Sequence, residues 1–272
     1  MNAVTQAVTA GGVVDIGWVQ LLLATGFIIV TGAISLALGL GLVKDLSIAT
    51  VRTYVQLLAL GIVLRWAFGF NTWWLVVGLL TVMVLAAARI ILKRSPDAPP
   101  GLFATSALSM AVTGFIVTFA VTAAVIRIHP WWDARYVLPI GGMVLGNSMT
   151  GIALALERVF ADLDGRSGEI LALTALGATP WEAARASVIT ALRAGLIPTI
   201  NSMAAVGIVF IPGMMTGQIL AGADPLAATK YQIVVMLMVS AATAVGSIMA
   251  VMLSYRRRFT ADGVFLEKGA RG

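Results

Sequence analysis

Apolar residues fill this chain in long, almost uncharged runs, with short polar breaks between them. Runs at 16–42, 46–68, 73–92, 102–128, 137–156, 194–223 and 231–255 are each about as long as the ~20 residues that a helix needs to cross a bilayer core. The pattern predicts an all-α membrane protein with seven transmembrane helices in a single domain over residues 1–272. One break is different. Residues 157–193 are too polar to span, yet they are rich in helix formers. Here 169–176 reads as a helix from Glu169 to Leu176, and Gly177-Ala178 ends it with the residue type that tolerates a left-handed turn. Thr179-Pro180-Trp181-Glu182 then starts a second helix. Thr179 is a capping residue, Pro180 suits the first helical position, and Glu182 stands where the partner of a capping box belongs. The segment is expected to be helix, sharp turn, helix, closing at Arg193 before the sixth span.

Composition agrees with a membrane protein. Of 272 residues, 60% are hydrophobic and 11% charged, against about a quarter charged in a soluble domain. The mean hydropathy is +0.98. The net charge of +6 follows from Lys and Arg collected near the spans, so it predicts no nucleic-acid partner. No Lys or Arg precedes Lys44, so the basic region that opens a signal peptide is not expected. A Pro-rich turn is expected at 95–101, and a short loop with two tryptophans at 129–136.

Positive charge sets the orientation. Lys44, Arg52, Lys93, Arg94, Arg158, Arg166, Arg185, Arg193 and Arg256 to Arg258 fall on one side of a seven-span alternation, and Arg65, Arg127, Arg135 and Lys230 on the other. The richer side is the cytoplasmic one. The N-terminus is therefore expected outside, and the C-terminus and the 157–193 segment inside.

Chemistry is sparse. The four lysines, Lys44, Lys93, Lys230 and Lys268, never follow a glycine, so there is no phosphate-binding loop. With no cysteine, a single histidine (His129) and no carboxylate inside the spans, no metal cage and no catalytic set is expected, and any metal ligands are unknown. A secondary carrier needs buried coupling charges, and Arg52 is the one such group in the spans that stands out. Arg52 and Gln56 share a face of the second span; Arg52 either snorkels to the headgroups or sits at an inner mouth. Asn147, Ser148 and Asn201 are polar groups in apolar spans that require partners across helices or in a path. Gly142 and Gly146, and Gly213 and Gly217, form small-xxx-small pairs suited to close packing. Pro212-Gly213 is expected to kink or break the sixth span. A break at membrane depth must face protein or water, which makes Met214 and Met215, with Met143 and Met149, either adaptable packing or the lining of a path.

Four stretches carry a resemblance: Gly141-Gly142-Met143-Val144-Leu145-Gly146-Asn147-Ser148-Met149; Leu176-Gly177-Ala178-Thr179-Pro180 with Arg193-Ala194-Gly195-Leu196-Ile197-Pro198-Thr199; Pro212-Gly213-Met214-Met215-Thr216-Gly217-Gln218; and Asp224-Pro225 with Lys230-Tyr231-Gln232-Ile233. Together, over nearly the whole chain, they resemble the Fet-type permease family of ABC transporters, bacterial iron exporters with plant relatives linked to aluminium tolerance. The resemblance implies a multi-pass permease of the inner (plasma) membrane. It implies a cytoplasmic coupling helix at Glu169, Leu176, Gly177, Ala178, Thr179, Pro180 and Glu182. It also implies a homodimer carrying two ABC ATPase subunits, with ATP and Mg on those subunits and no cofactor in this chain. An organic solute such as a sugar nucleotide fits the residues as well as iron does.

Overall fold

The computed structural model describes residues 16–94 and 99–266, as helices joined by short turns. The segment 1–15, part of the N-terminal stretch without a signal-peptide pattern, lies outside the described residues, as do residues 95–98 of the Pro-rich turn. The helices are α1 (Trp18–Ala37), α2 (Val43–Phe70), α3 (Trp73–Arg94), α4 (Leu102–Val125), α5 (Ala134–Gly165), α6 (Ser167–Ala175), α7 (Pro180–Ala205), α8 (Gly213–Leu220) and α9 (Pro225–Tyr255). Among the described residues there is no sheet, only isolated bridges at Val206–Phe210 and Phe259–Phe265. Among the described residues seven helices are long and apolar enough to cross a bilayer: α1 to α5, α7 and α9. The protein is a multi-pass membrane protein.

The seven spans stand where the apolar runs predict, but four boundaries move by six residues or more. The fifth helix does not end at 156; it runs on to Gly165, because Glu157 to Asp164 contain no stop signal. The sixth does not begin at 194. α7 starts at Pro180 and passes Arg193 without a break, since a charge alone does not end a helix. It also does not reach 223. The helix stops at Ala205, and the chain then turns with Gly207 at φ 80°, its amide bonded to the Phe210 carbonyl. The expected kink at Pro212-Gly213 is thus a seven-residue helix interruption, 206–212, after which Gly213 opens the short α8. The final span begins at Pro225, earlier than 231, with the Asp224 carboxylate accepting from the Ala227 amide as a cap.

By its internal contacts the chain forms two units. Of the described residues, the first holds 16–70 and 213–229. In it α1 packs along α2, and the Tyr54 hydroxyl bonds the Leu21 carbonyl at 2.7 Å and meets Thr25 Oγ1 at 2.7 Å. The second unit holds the described residues 71–94, 99–212 and 230–266. α5 is its centre, with α3 and α7 packed on it. Val144, Ile152, Leu156 and Val159 of α5 are fully buried there. Close approach is set by glycine. A Cβ on Gly195 of α7 would stand 2.6 Å from the Gly151 carbonyl oxygen, and one on Gly151 would collide with Thr243 Cγ2 of α9. The pairs expected to pack are not these. Gly146 has nothing within 4 Å of a Cβ among the described residues, and Gly142 meets Met83 Cε only at 3.4 Å.

Candidate coupling surface

α5 and α7 extend past their apolar stretches, and α6 bridges their ends. Arg166 joins α5 to α6. Its guanidinium holds Glu169 by two hydrogen bonds, 2.6 and 2.9 Å, and reaches Ser187 of α7 at 3.3 Å. Those bonds from Arg166 hold the Glu169 carboxyl below the usual carboxylate range. α6 then ends in a Schellman turn. The Ala178 amide bonds the Leu173 carbonyl and the Gly177 amide the Thr174 carbonyl, both at 3.0 Å, with Gly177 at φ 92°. Two residues on, Thr179 caps α7. Its hydroxyl accepts from the Glu182 amide at 3.3 Å, while Glu182 Oε2 accepts from the Thr179 amide at 2.8 Å. This is the capping box that the sequence predicts, with Pro180 at the first helical position. The turn displays Leu176, 86% exposed, at its tip.

A third element meets this turn that sequence reasoning does not find. After the short 3₁₀ turn Arg256–Arg258, the chain folds into a small hairpin over 259–266. The Thr260 amide bonds the Val264 carbonyl at 2.8 Å, and Phe259 and Phe265 meet edge to face at 5.4 Å. Arg258 has no exposed side-chain surface. It pairs with Asp164 at 2.5 Å and lies 5.8 Å over the Phe160 ring, both on α5. Arg257 bonds the Pro100 carbonyl at 3.0 Å. Of the Arg256 to Arg258 run, read as a plain topology signal, two members therefore pin the tail. A cleft of about 580 Å³ separates the hairpin from the turn, lined by Leu171, Gly177, Thr179 and Pro180 on one side and Asp262 and Val264 on the other. The Trp181 and Tyr255 rings lie 6.0 Å apart, tilted by 59°, so the start of α7 and the end of α9 also meet here.

Sequence comparison decides the family. The profile of the uncharacterised protein family UPF0014 matches residues 18–259. The chain belongs to UPF0014. It is 35% identical over 243 residues to the UPF0014 membrane protein YjkA of Bacillus subtilis, covering 89% of this chain and 96% of that one. It is 32% identical over 239 residues to the probable iron export permease protein FetB of Escherichia coli, covering 88% and 90%. Protein ALUMINUM SENSITIVE 3 of Arabidopsis thaliana is 32% identical over 228 residues, covering 84% and 82%. No solved structure matches.

The other residues singled out in this UPF0014 chain fall in both units. Arg52 and Gln56 are exposed on α2, in the first unit. Met214 and Met215, half-buried on α8, belong to that unit too, and the Thr229 hydroxyl lies 3.9 Å from the Met215 sulfur. Pro212 ends the interruption in the second unit, and Gly213 begins the first-unit segment. Met143, Asn147 and Met149 lie on α5, and Asn201 is exposed near the end of α7. Among the described residues Asn147 makes no hydrogen bond across helices; its side-chain amide donates to the Met143 carbonyl one turn back, at 2.8 Å. Ser148 beside it is fully buried, and its hydroxyl has no hydrogen-bond partner among the described residues. Among the described residues no three of His, Cys, Asp and Glu gather into a metal site.

Proposed function

We propose that this chain is the membrane subunit of an ATP-driven metal exporter, and that the α6–α7 turn is where a separate ABC ATPase subunit seats. The observation that carries the reading is the turn itself. It is rigid, with a Schellman end and a capping box back to back, and it presents an exposed leucine. The turn is built into the bundle through α7, which runs unbroken from Pro180 into the sixth span, and α5 packs along α7 at Gly151 and Gly195. A push on the turn is thereby a push on a transmembrane helix, with no flexible joint between. The positive charges put the turn in the cytoplasm, where ATP is, with the N-terminus outside. The chain has no phosphate loop of its own, so ATP and Mg belong to the partner. ABC ATPases act in pairs, and one chain offers one turn, so the working unit is a homodimer with two ATPase subunits in the inner (plasma) membrane.

Iron as cargo is supported by the similarity to FetB. The path is expected along Arg52, Gln56, Met143, Asn147, Met149, Asn201 and the Pro212 to Met215 segment. Co-expression with the small ABC ATPase of the same genome, purification in detergent and reconstitution into vesicles tests the whole reading. A two-to-two complex that moves ferrous iron only with ATP is the expected result. A permease that never retains the ATPase, or that transports alone, overturns it. Parallel vesicles with an iron chelate and a sugar nucleotide identify the cargo.

A further inference from the structure

The C-terminal hairpin is fastened more firmly than a chain end requires. Membrane insertion asks only for positive charge beyond the last span. Here Arg258 is instead withdrawn fully from solvent, and a charge taken out of water has to recover its lost hydration through geometry. It does so against Asp164 and the Phe160 ring of α5, while Arg257 ties the tail to the loop at Pro100. The hairpin so fixed holds Val264, 52% exposed, in one wall of the open cleft, with Leu171, Gly177, Thr179 and Pro180 in the other. Leu176, 86% exposed, immediately precedes Gly177 of that other wall, so the turn and the hairpin each carry an exposed apolar side chain beside the cleft. Thr179 and Pro180 line this cleft and a second one of about 380 Å³ beside Trp181 and Phe259, so turn and hairpin form one continuous surface.

We propose that the hairpin 259–266 is the second wall of the docking surface, that its occupant is the same ATPase subunit that seats on the turn, and that Arg258 and Asp164 are positioning residues for that wall. The proposal rests on the docking reading of the turn. A stable protein interface covers roughly 800 Å² on each partner. A turn of a few residues is too small for that, and the hairpin is the adjoining surface that completes it.

The chain has no cysteine, so single cysteines report cleanly. Leu176→Cys and Val264→Cys, both at exposed sites, are each labelled with a benzophenone maleimide in the reconstituted complex and irradiated. Both are expected to cross-link to the ATPase. Cross-linking from Leu176 alone overturns this proposal and leaves the docking reading standing. Cross-linking from neither position overturns both. Cross-linking from Val264 alone removes the turn on which the proposal rests, and so overturns it as well. In the Asp164→Asn background, Val264 cross-linking is expected to fall roughly tenfold or more while Leu176 cross-linking persists, because the buried arginine loses its counter-charge. Unchanged Val264 cross-linking there removes Arg258 and Asp164 from the positioning role.

Discussion

Gly195 of α7 and Gly151 of α5 cross so closely that a Cβ on Gly195 would stand 2.6 Å from the Gly151 carbonyl oxygen. No side chain can give way at that contact, because the obstacle is backbone. Gly195→Ala is therefore expected to push α7 off α5 and to cost about 1–3 kcal/mol, the usual range for overpacking. Gly146→Ala, with open space around its Cβ, serves as the control. Thermal unfolding of the purified protein measures both. Equal stability of the two variants would show that α5 and α7 separate freely.

The turn depends on one left-handed residue and one cap. Gly177 sits at φ 92°, which a β-branched side chain strongly disfavours. Gly177→Val is expected to leave the spans inserted and the ATPase weakly held on co-purification. Thr179→Ala removes the hydroxyl that accepts from the Glu182 amide, at a cost of about 1 kcal/mol. Hydrogen exchange at the first amides of α7 should rise in this variant while the amides of α5 stay protected. A Gly177→Val protein that retains its ATPase and full transport refutes the docking role.

Acid should loosen the α5–α6 junction. The bonds from Arg166 lower the Glu169 pKa below its unfolded value. The stabilisation is therefore complete above the ordinary glutamate pKa of about 4.3 and is lost as pH falls through the lower, folded value. The pair is solvent-exposed, so the effect is local and weakened by salt. Hydrogen exchange within α6 is expected to quicken below that range in wild type. Glu169→Gln should exchange fast at every pH, with no acid step.

Replacing Met214 and Met215 together by leucine keeps volume and apolarity, so the fold should survive with a cost below about 1.5 kcal/mol. The sulfurs are lost. If they line the route of a metal, iron transport falls while ATPase co-purification is unchanged. Full transport in the double variant assigns both residues to packing.

Pro212→Ala does not rejoin α7 to α8. The interruption begins at Val206, six residues earlier, and holds the left-handed Gly207 with its bond to Phe210. Helix content by circular dichroism should stay unchanged in the variant. A clear gain in helix would make Pro212 the cause of the interruption.

Hydropathy alone determined that this is an all-helical, seven-span membrane chain, because a bilayer forces every spanning backbone to bond within itself over a fixed length. The turn was equally legible. A Schellman glycine, a capping threonine, a first-turn proline and a glutamate three residues later act through neighbours in the chain, so Gly177, Thr179, Pro180 and Glu182 appear as the sequence predicts. Helix ends were less legible, since polarity marks where a span leaves the apolar layer and not where its helix stops; α5 and α7 run nine and fourteen residues beyond the predicted 156 and 194 limits, to Gly165 and from Pro180. Tertiary structure alone decided which glycines pack. Gly146 carries the expected motif, yet a Cβ there would meet nothing within 4 Å among the described residues, whereas Gly151 and Gly195, 44 positions apart, meet backbone to backbone. It also decided the tail. Arg256, Arg257 and Arg258 are one repeated letter in the sequence, but Asp164 and Phe160 are almost a hundred residues away, and only the folded chain brings them to Arg258. Contacts between distant segments depend on how helices cross, and that is not encoded in the period of either one.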